Sequence, residues 1–411
     1  MRRPTILFMN RVFPPVRGAS GRVLRDLARS FAREGWHVTV ISSGPEAGET
    51  REVGIRIIRV KGPEKTESTL SYMWVWLKMM YIALRLKSRH VLVTMTDPPL
   101  MVYAGYWISR LKKSHHIHWC QDLYPEIMPA LGKKPPGIIY AVLQNLRQTA
   151  MKKATKIIVN GRCMAKYLTE EGKGIYKIAF VPNWPDLELT DTEMNDFNEA
   201  AAYQEPAPDL VRPFEQQLKS GQRFRVLYAG NIGLAHPIET IIEAAEKLDA
   251  QKSDVEFVFI GDGPRFDFIM RERSRRGLEN IRILPFQPIE KLREVMESGD
   301  IHLMSMHEDS AGFMVPSKLY AALAVARPCI LVGSKLSETA KVLRDFKAGE
   351  VVVQGDADAL VAAILKFRES GDEWFLAHRG AVRAREVYAP QNTIEQWMEH
   401  AWYAVKDDLG V

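Results

Sequence analysis

Cysteine is scarce in this chain: Cys120, Cys163 and Cys329 are the only three among 411 residues. They stand far apart, which excludes a disulfide scaffold and a cysteine-based metal knuckle, and a reducing cytoplasm suits them best. Long apolar runs are missing too. The uncharged run between Asp97 and Arg110 is 12 residues, too short to span a bilayer. The opening MRRPTILFMN has basic residues but only a short apolar run, so it reads as a first strand and not as a signal peptide. There is no G-x-S-x-G element for serine hydrolysis. Pro316-Ser317-Lys318 lacks the upstream glycines of a P-loop. The GASG at 18–21 is not G-x-G-x-x-G, and no Asp or Glu closes the strand that follows, which argues against a dinucleotide.

What is present points to a two-domain globular protein. The length exceeds one compact core, and 26% charged with 46% hydrophobic residues is a globular composition. The net charge of +6 is unevenly placed: residues 1–122 hold 20 Lys/Arg against 9 Asp/Glu. A basic N-terminal half suits an anionic partner, whether nucleic acid, phosphate or an acidic membrane surface; a solvated basic face is the plainer reading.

Residues 5–9 read as a strand, followed by a loop with Gly18, Ala19, Ser20 and Gly21, an amphipathic helix, and a second strand over 37–43. Further strands are expected at 54–60, 90–95, 116–120, 154–159 and 178–181, with a helix at 162–171. Residues 69–86 form a helix candidate rich in Met and Trp around most of its circumference, and 98–111 repeats the theme before Lys112-Lys113. Such helices are buried or meet lipid, and aromatics flanked by Lys/Arg suit an interface. Asp122 and Glu126 follow a strand, where carboxylates sit at the mouth of an α/β sheet. His116 and His118 share one strand face while His115 points away, and no third metal ligand stands nearby. Residues 187–222 are polar, acidic and aperiodic, and read as an interdomain linker.

The second half opens on the stretch around which the chain is organised, FRVLYAGNIGLAHPIETIIEA at 224–244. A short apolar strand ends at Gly230, and helical spacing begins at Ile238, just after Pro237. A glycine-bearing turn ahead of a helix start can hold an anion. Strands at 255–260, 281–284, 301–305, 328–332 and 350–353 alternate with helices at 265–276, 289–297, 317–325 and 338–346, the pattern of a second parallel sheet. A last helix over 391–405 is expected to return across the domain junction.

Taken together, the glycine loop, VPNWPD at 181–186, YAGNIG at 228–233, GDGP at 261–264 and PSKLYAALAVARP at 316–328 resemble the GT-B glycosyltransferases. More narrowly they resemble family 4, and within it the N-acetylfucosaminyl and related transferases of O-antigen, capsule, lipopolysaccharide and colanic acid assembly. In that group DPP, DLxPE, GNIG, GDGP and PSK recur in this order, and the resemblance covers nearly the whole chain. It implies an α/β fold of the GT-B type, with two Rossmann-like doubly wound parallel-sheet domains facing across a cleft. Residues 1–190, with a returning 386–411, would bind the acceptor; 191–222 would be linker or insertion; 223–385 would bind the nucleotide-sugar.

By resemblance, Gly18, Ser20 and Gly21 face the acceptor and the donor diphosphate. Gly230, Asn231, Gly233 and His236 lie under the diphosphate. Gly261, Phe286 and Gln287 hold the base, and Glu308, Asp309, Pro316, Ser317 and Lys318 meet the sugar and phosphates. Three departures stand out. The family's pair of Glu residues falls on Phe313 and Ala321, its phosphate-binding Arg and Lys on Asn231 and His236, and a His that often precedes the Asp on Gln121. Cationic stabilisation of the leaving diphosphate therefore moves to Lys318, to helix-start N–H groups or to His236.

The expected reaction moves a sugar, with an N-acetylated deoxyhexose as one candidate, from a UDP-sugar to a lipid-diphosphate-linked saccharide at the inner face of the bacterial plasma membrane. The basic first domain would bind that surface peripherally, and nucleic acid is not an expected partner. Retention of configuration is implied; Asp122 and Glu126 would then position the acceptor, whereas in an inverting reaction they would be the candidate bases. No metal or other cofactor is expected. The Asp356-Ala357-Asp358 triplet opens a helix and reads as cap and first-turn acids. Two rivals remain at this point: a UDP-sugar epimerase of the same architecture, and a non-enzymatic membrane-surface or nucleic-acid binding protein.

Overall fold

The computed structural model describes residues 3–62, 69–190 and 223–409, so the expected linker at 191–222 lies outside the described residues. The first domain runs β1 (Thr5–Met9), α1 (Ala19–Arg33), β2 (His37–Gly44), β3 (Gly48–Glu52), β4 (Ile55–Lys61), α2 (Thr69–Arg85), β5 (Val91–Thr94), α3 (Met101–Lys112), β6 (His115–Cys120), α4 (Gly137–Lys153), β7 (Lys156–Val159), α5 (Arg162–Gly172) and β8 (Ile178–Phe180). The second runs β9 (Phe224–Ala229), α6 (Glu239–Ala250), β10 (Val255–Gly261), α7 (Phe266–Arg276), β11 (Ile281–Pro285), α8 (Leu292–Glu297), β12 (Ile301–Ser305), α9 (Lys318–Ala324), β13 (Cys329–Val332), α10 (Glu338–Phe346), β14 (Gly349–Val352), α11 (Ala357–Glu369) and α12 (Gly371–Val387). The final helix is α13 (Pro390–Leu409).

The first sheet has eight strands in the order β3-β4-β2-β1-β5-β6-β7-β8, parallel except for the β3–β4 edge. The second has six in the order β11-β10-β9-β12-β13-β14, all parallel. Parallel strands buried on both faces need apolar residues at odd and even positions alike. Strand β1 shows it: Ile6 and Phe8 enter the core shared with α1 and α13, while Leu7 and Met9 enter the core under α2 and α3. Trp397 of α13 sits in the first-domain core beside Phe8, Phe31 and Trp119, so the chain ends by returning to the domain where it began.

Three elements carry little signal in the sequence. Strand β3 is GETRE, charged and exposed, and is held at the edge by cross-strand pairs such as Arg56 with Glu49 at 2.7 Å. Helix α4 buries only Arg147, Ala150 and Met151 along its 17 residues. Helix α12 follows α11 with Ser370 as the common boundary residue, its side chain accepting from Glu373 N.

In each sheet strand order reverses once, between β1 and β5 and between β9 and β12. Crevices beyond the carboxyl ends of strands at such reversals are where α/β sheets bind ligands. The two reversal points therefore set where a site can form.

Candidate active site

At the second reversal point, Gly230 directly follows β9 and Gly261 ends β10. Gly261 has φ +148°, and a Cβ there would lie 2.2 Å from the Gly230 carbonyl oxygen. Gly263, at φ +130°, would place a Cβ 2.5 Å from Asn231 Oδ1. Only glycine lets these turns close together. Asn231 and His236 in turn flank Gly233.

Lys318, the first residue of α9, reaches into this cradle. Its Nζ donates to the Asn231 carbonyl at 2.6 Å, lies 5.3 Å from the centre of the Tyr228 ring, and its Cε would touch a Cβ at Gly230. Burial lowers its ammonium to about 8. His236 Nδ1 is 2.6 Å from the Ser305 carbonyl at the end of β12. Burial, and then the charge of Lys318, push His236 down to about 3. His236 is therefore neutral at physiological pH, and the expectation that it could supply positive charge is corrected.

At the first reversal point the strand ends gather a second group. Arg11, after β1, donates through Nε to Asp97 Oδ1 at 2.8 Å, and its backbone N–H donates to the Asp97 carbonyl. The Arg11 guanidinium also lies 5.4 Å from the Tyr72 ring of α2. Asp122, after β6, is half-buried, and its N–H donates to Thr96 Oγ1 at 3.3 Å. Burial, and then the charge of Asp97, raise the Asp122 carboxyl to about 7. Such a value suits a group that takes or holds a proton near neutral pH.

The two groups meet through the 313–318 segment. Asp122 pairs across the gap with Met314 as an antiparallel bridge, and Leu123 N donates to the Phe313 carbonyl at 2.7 Å. From Met314 to Lys318 the chain can extend no more than about 14 Å. Arg17, in the loop before α1, lies 5.4 Å from the centre of the Phe286 ring, a second contact between the domains.

Other expected site residues fall differently. Gly18 is exposed and Ser20 half-buried, with Ser20 Oγ accepting from Asn10 Nδ2 at 3.3 Å. Gly21 is buried, and a Cβ there would lie 2.8 Å from the Val12 carbonyl oxygen; its role is close packing, not an open ligand face. Glu126 is also corrected: its Oε1 accepts from Arg147 at 2.6 Å and from Gln144, deep in the domain. Such a buried pair positions α4 rather than an acceptor. Gln121 is held in an amide network with Asn160 and Asn183. Phe313 packs edge-on against Tyr167, and Ala321 lies among apolar neighbours. Gln287 folds back onto the Pro285 carbonyl, and Pro316 is buried while Ser317, the residue before α9, is half-buried. Glu308 and Asp309 are exposed just beyond β12, where Glu308 joins Glu239 and Glu243 around a shallow recess.

Among the described residues, no group of three or more His, Cys, Asp or Glu converges on a metal position. His115 pairs with Asp408, while His116 and His118 are buried against Thr94 Oγ1 at 2.8 and 3.0 Å. Asp356 caps α11, and Asp358 pairs with Lys247. A surface cavity of about 390 Å³ lies elsewhere, beside β14, with Lys335, Arg344 and Lys366 on its lining. Arg11, Tyr72, Asp97 and Arg17 were not assigned from the sequence. Only Asp97 had a pointer, as the first residue of the DPP run.

Residues 18–184 match the family described as "Glycosyl transferase 4-like domain", and residues 212–380 match "Glycosyl transferases group 1". The chain belongs to the GT-B glycosyltransferases. It is 25% identical over 262 residues to the putative colanic acid biosynthesis glycosyl transferase WcaI of Escherichia coli (strain K12), covering 62% of this chain and 61% of that protein. It is 26% identical to the probable glycosyltransferase WbjE of Pseudomonas aeruginosa, covering 68% and 66%. These matches thus span just under two thirds of the relatives' own lengths. Among solved structures, sucrose-phosphate synthase from Thermosynechococcus elongatus superposes with a TM-score of 0.73 at 15% identity, covering 97% of this chain and 98% of that one. Anabaena HepE in complex with UDP and glucose gives 0.67 at 15% identity, covering 97% and 99%. At that identity the likeness establishes the fold alone, with its two parallel-sheet domains.

Proposed function

We propose that the chain transfers a sugar from a UDP-sugar to a saccharide carried on a lipid diphosphate, in bacterial surface polysaccharide synthesis at the inner face of the plasma membrane. The observation that carries this reading is Lys318, held by the Gly230–Asn231 turn and linked by the 313–318 segment to Asp122 of the opposite domain. As the glycosidic bond breaks, negative charge grows on the β-phosphate oxygen. A fixed ammonium stabilises that charge with no divalent ion. Phe286 offers a ring face for the uracil, and Arg17 above it supplies a second cation at the mouth. The UDP bound to HepE and the assignment of WcaI to colanic acid biosynthesis support donor and pathway class.

In the retaining course the leaving phosphate takes the proton of the acceptor hydroxyl, and Asp122 orients that hydroxyl. The elevated Asp122 carboxyl favours a second course, in which Asp122 itself takes the proton and configuration inverts. The anomeric configuration of the product, read by NMR from a UDP-sugar of known anomer, separates the two. Incubation of donor with lipid-linked acceptor tests the reading as a whole: transfer releases UDP, whereas epimerisation leaves the nucleotide linked to its sugar.

A further inference from the structure

The second sheet ends on an edge that no strand covers among the described residues. Strand β14 is last in the order, separated from the reversal point by β12 and β13. It pairs with β13 in parallel register, from Gly349 opposite Cys329 to Val352 opposite Val332. Cys329 N–H donates to the Ala348 carbonyl at 3.0 Å and Gly333 N–H to the Val352 carbonyl at 2.8 Å. The even-numbered peptide groups of β14 therefore face β13, and those of Gly349 and Val351 point out of the sheet. An open edge of this kind is a template for a further strand. A cavity of about 390 Å³ runs along it, with Gly349 and Val351 on its lining. Helix α10 walls it over one face of the sheet and the end of α11 over the other. Leu343, Phe367 and Ala377 form its buried apolar base, and Leu376 stands exposed at its rim.

Charge narrows the choice of partner. Lys335, Arg344, Lys347 and Lys366 line the cavity against two acids, Glu350 and Glu373. Both acids pair with the one cation Lys366, at 2.7 and 3.1 Å. The side chains of Lys335, Arg344 and Lys347 are exposed and have no acidic partner among the described residues. The groove thus presents strand-edge peptide groups, an apolar base and an excess of positive charge along one line. An extended acidic chain satisfies all three. Its backbone pairs with Gly349 and Val351, alternate side chains settle on the base, and its carboxylates reach the free cations. A small anion would use the cations and leave the edge unpaired. A second copy of this chain would bring two cationic edges together, which disfavours β14 pairing with itself.

We propose that the groove beside β14 is a docking site for an extended acidic segment of a partner protein, which adds a strand to the six-stranded second sheet. The inference does not rest on the donor or the acceptor proposed above.

A short, capped, fluorescein-labelled peptide alternating Glu and Val tests it by anisotropy on the full chain, with UDP binding measured on the same preparations. The wild type should bind this peptide and not one alternating Lys and Val, and hydrogen exchange at the Val351 amide should slow in the complex. Arg344→Glu combined with Lys347→Glu should weaken peptide binding about tenfold or more with UDP binding unchanged. N-methylation of one alternate set of peptide residues should lower affinity about tenfold or more, while methylation of the other set is tolerated, since only one set faces the edge. Equal binding of the acidic peptide by wild type and charge-reversed variant overturns the proposal, as does a wild type that does not bind it. Equal tolerance of both N-methylated forms, with Val351 exchange unchanged, overturns it in favour of a simple anion site. A wild type that sediments as a dimer and a variant that sediments as a monomer overturn it in favour of a second copy.

Discussion

At the scale of single residues, charge and proton affinity decide the chemistry. Lys318 is the cation held in the glycine cradle, and His236 beside it is neutral. Replacing Lys318 with Ala should lower the transfer rate by roughly 100- to 1,000-fold, as loss of one charge-stabilising donor does, read as UDP release. Because Lys318 titrates near 8, donor binding in the wild type should weaken as pH rises through that value, and the variant should lack this dependence. A pH-independent wild-type affinity between 7 and 9 would contradict it. Asp122 gives the opposite limb. If its carboxylate acts on the acceptor, kcat/KM should fall as pH drops below about 7, and Asp122→Asn should be slow at every pH with that limb absent. The positions of Lys318 at a helix start and Asp122 just past a strand end were legible in the sequence because each stands in a recognisable run. Arg11, Tyr72 and Arg17 were not, because each acts through a neighbour more than 50 residues away in the chain.

At the scale of elements, close approach and burial set the tolerances. A Gly261→Ala change puts a methyl against the Gly230 carbonyl in a backbone conformation that disfavours side chains. It should cost about 1–3 kcal/mol of stability and weaken UDP binding together with it; an unchanged urea midpoint would argue that the cradle is looser than described. In β6, His116 and His118 are both held near 3 by burial. Their folded values lie below the unfolded one, so the folded state binds fewer protons. Each should remove about 1.4 kcal/mol of stability per pH unit as pH falls from about 6.5 towards 3. Urea titrations at pH 7 and pH 5 check the sign. Period and strand-bounding glycines made most βα units readable, whereas β3 and α4 were not. Strand β3 has no apolar side chain and is almost wholly exposed, and α4 buries only three residues, so neither carries a periodic pattern.

At the scale of the whole molecule, the two sheets are joined by few but specific contacts. Arg162, opening α5, donates to Glu338 and Asp345 of α10 at 2.7 Å, and Glu338 is 1% exposed. Arg162→Ala leaves that carboxylate with one backbone donor, at a cost of about 1–3 kcal/mol. It should loosen the domains and raise KM more than it lowers kcat, since it touches no reacting group. A drop in kcat with KM unchanged would give Arg162 a different role. Two parallel sheets were readable from the alternation of strands and helices. Their docking was not, because it depends on pairs such as Asp122 with Met314 and Arg17 with Phe286, whose partners are set only by the three-dimensional arrangement.

The most direct measurement is calorimetric titration of UDP into wild type and Lys318→Ala in the presence of EDTA. Wild type should bind UDP undiminished by the chelator, and the variant should bind at least about 100-fold more weakly, a difference of about 2.7 kcal/mol. Equal affinity in the two proteins, or binding that appears only after a divalent ion is restored, would contradict a cleft that neutralises the diphosphate with lysine.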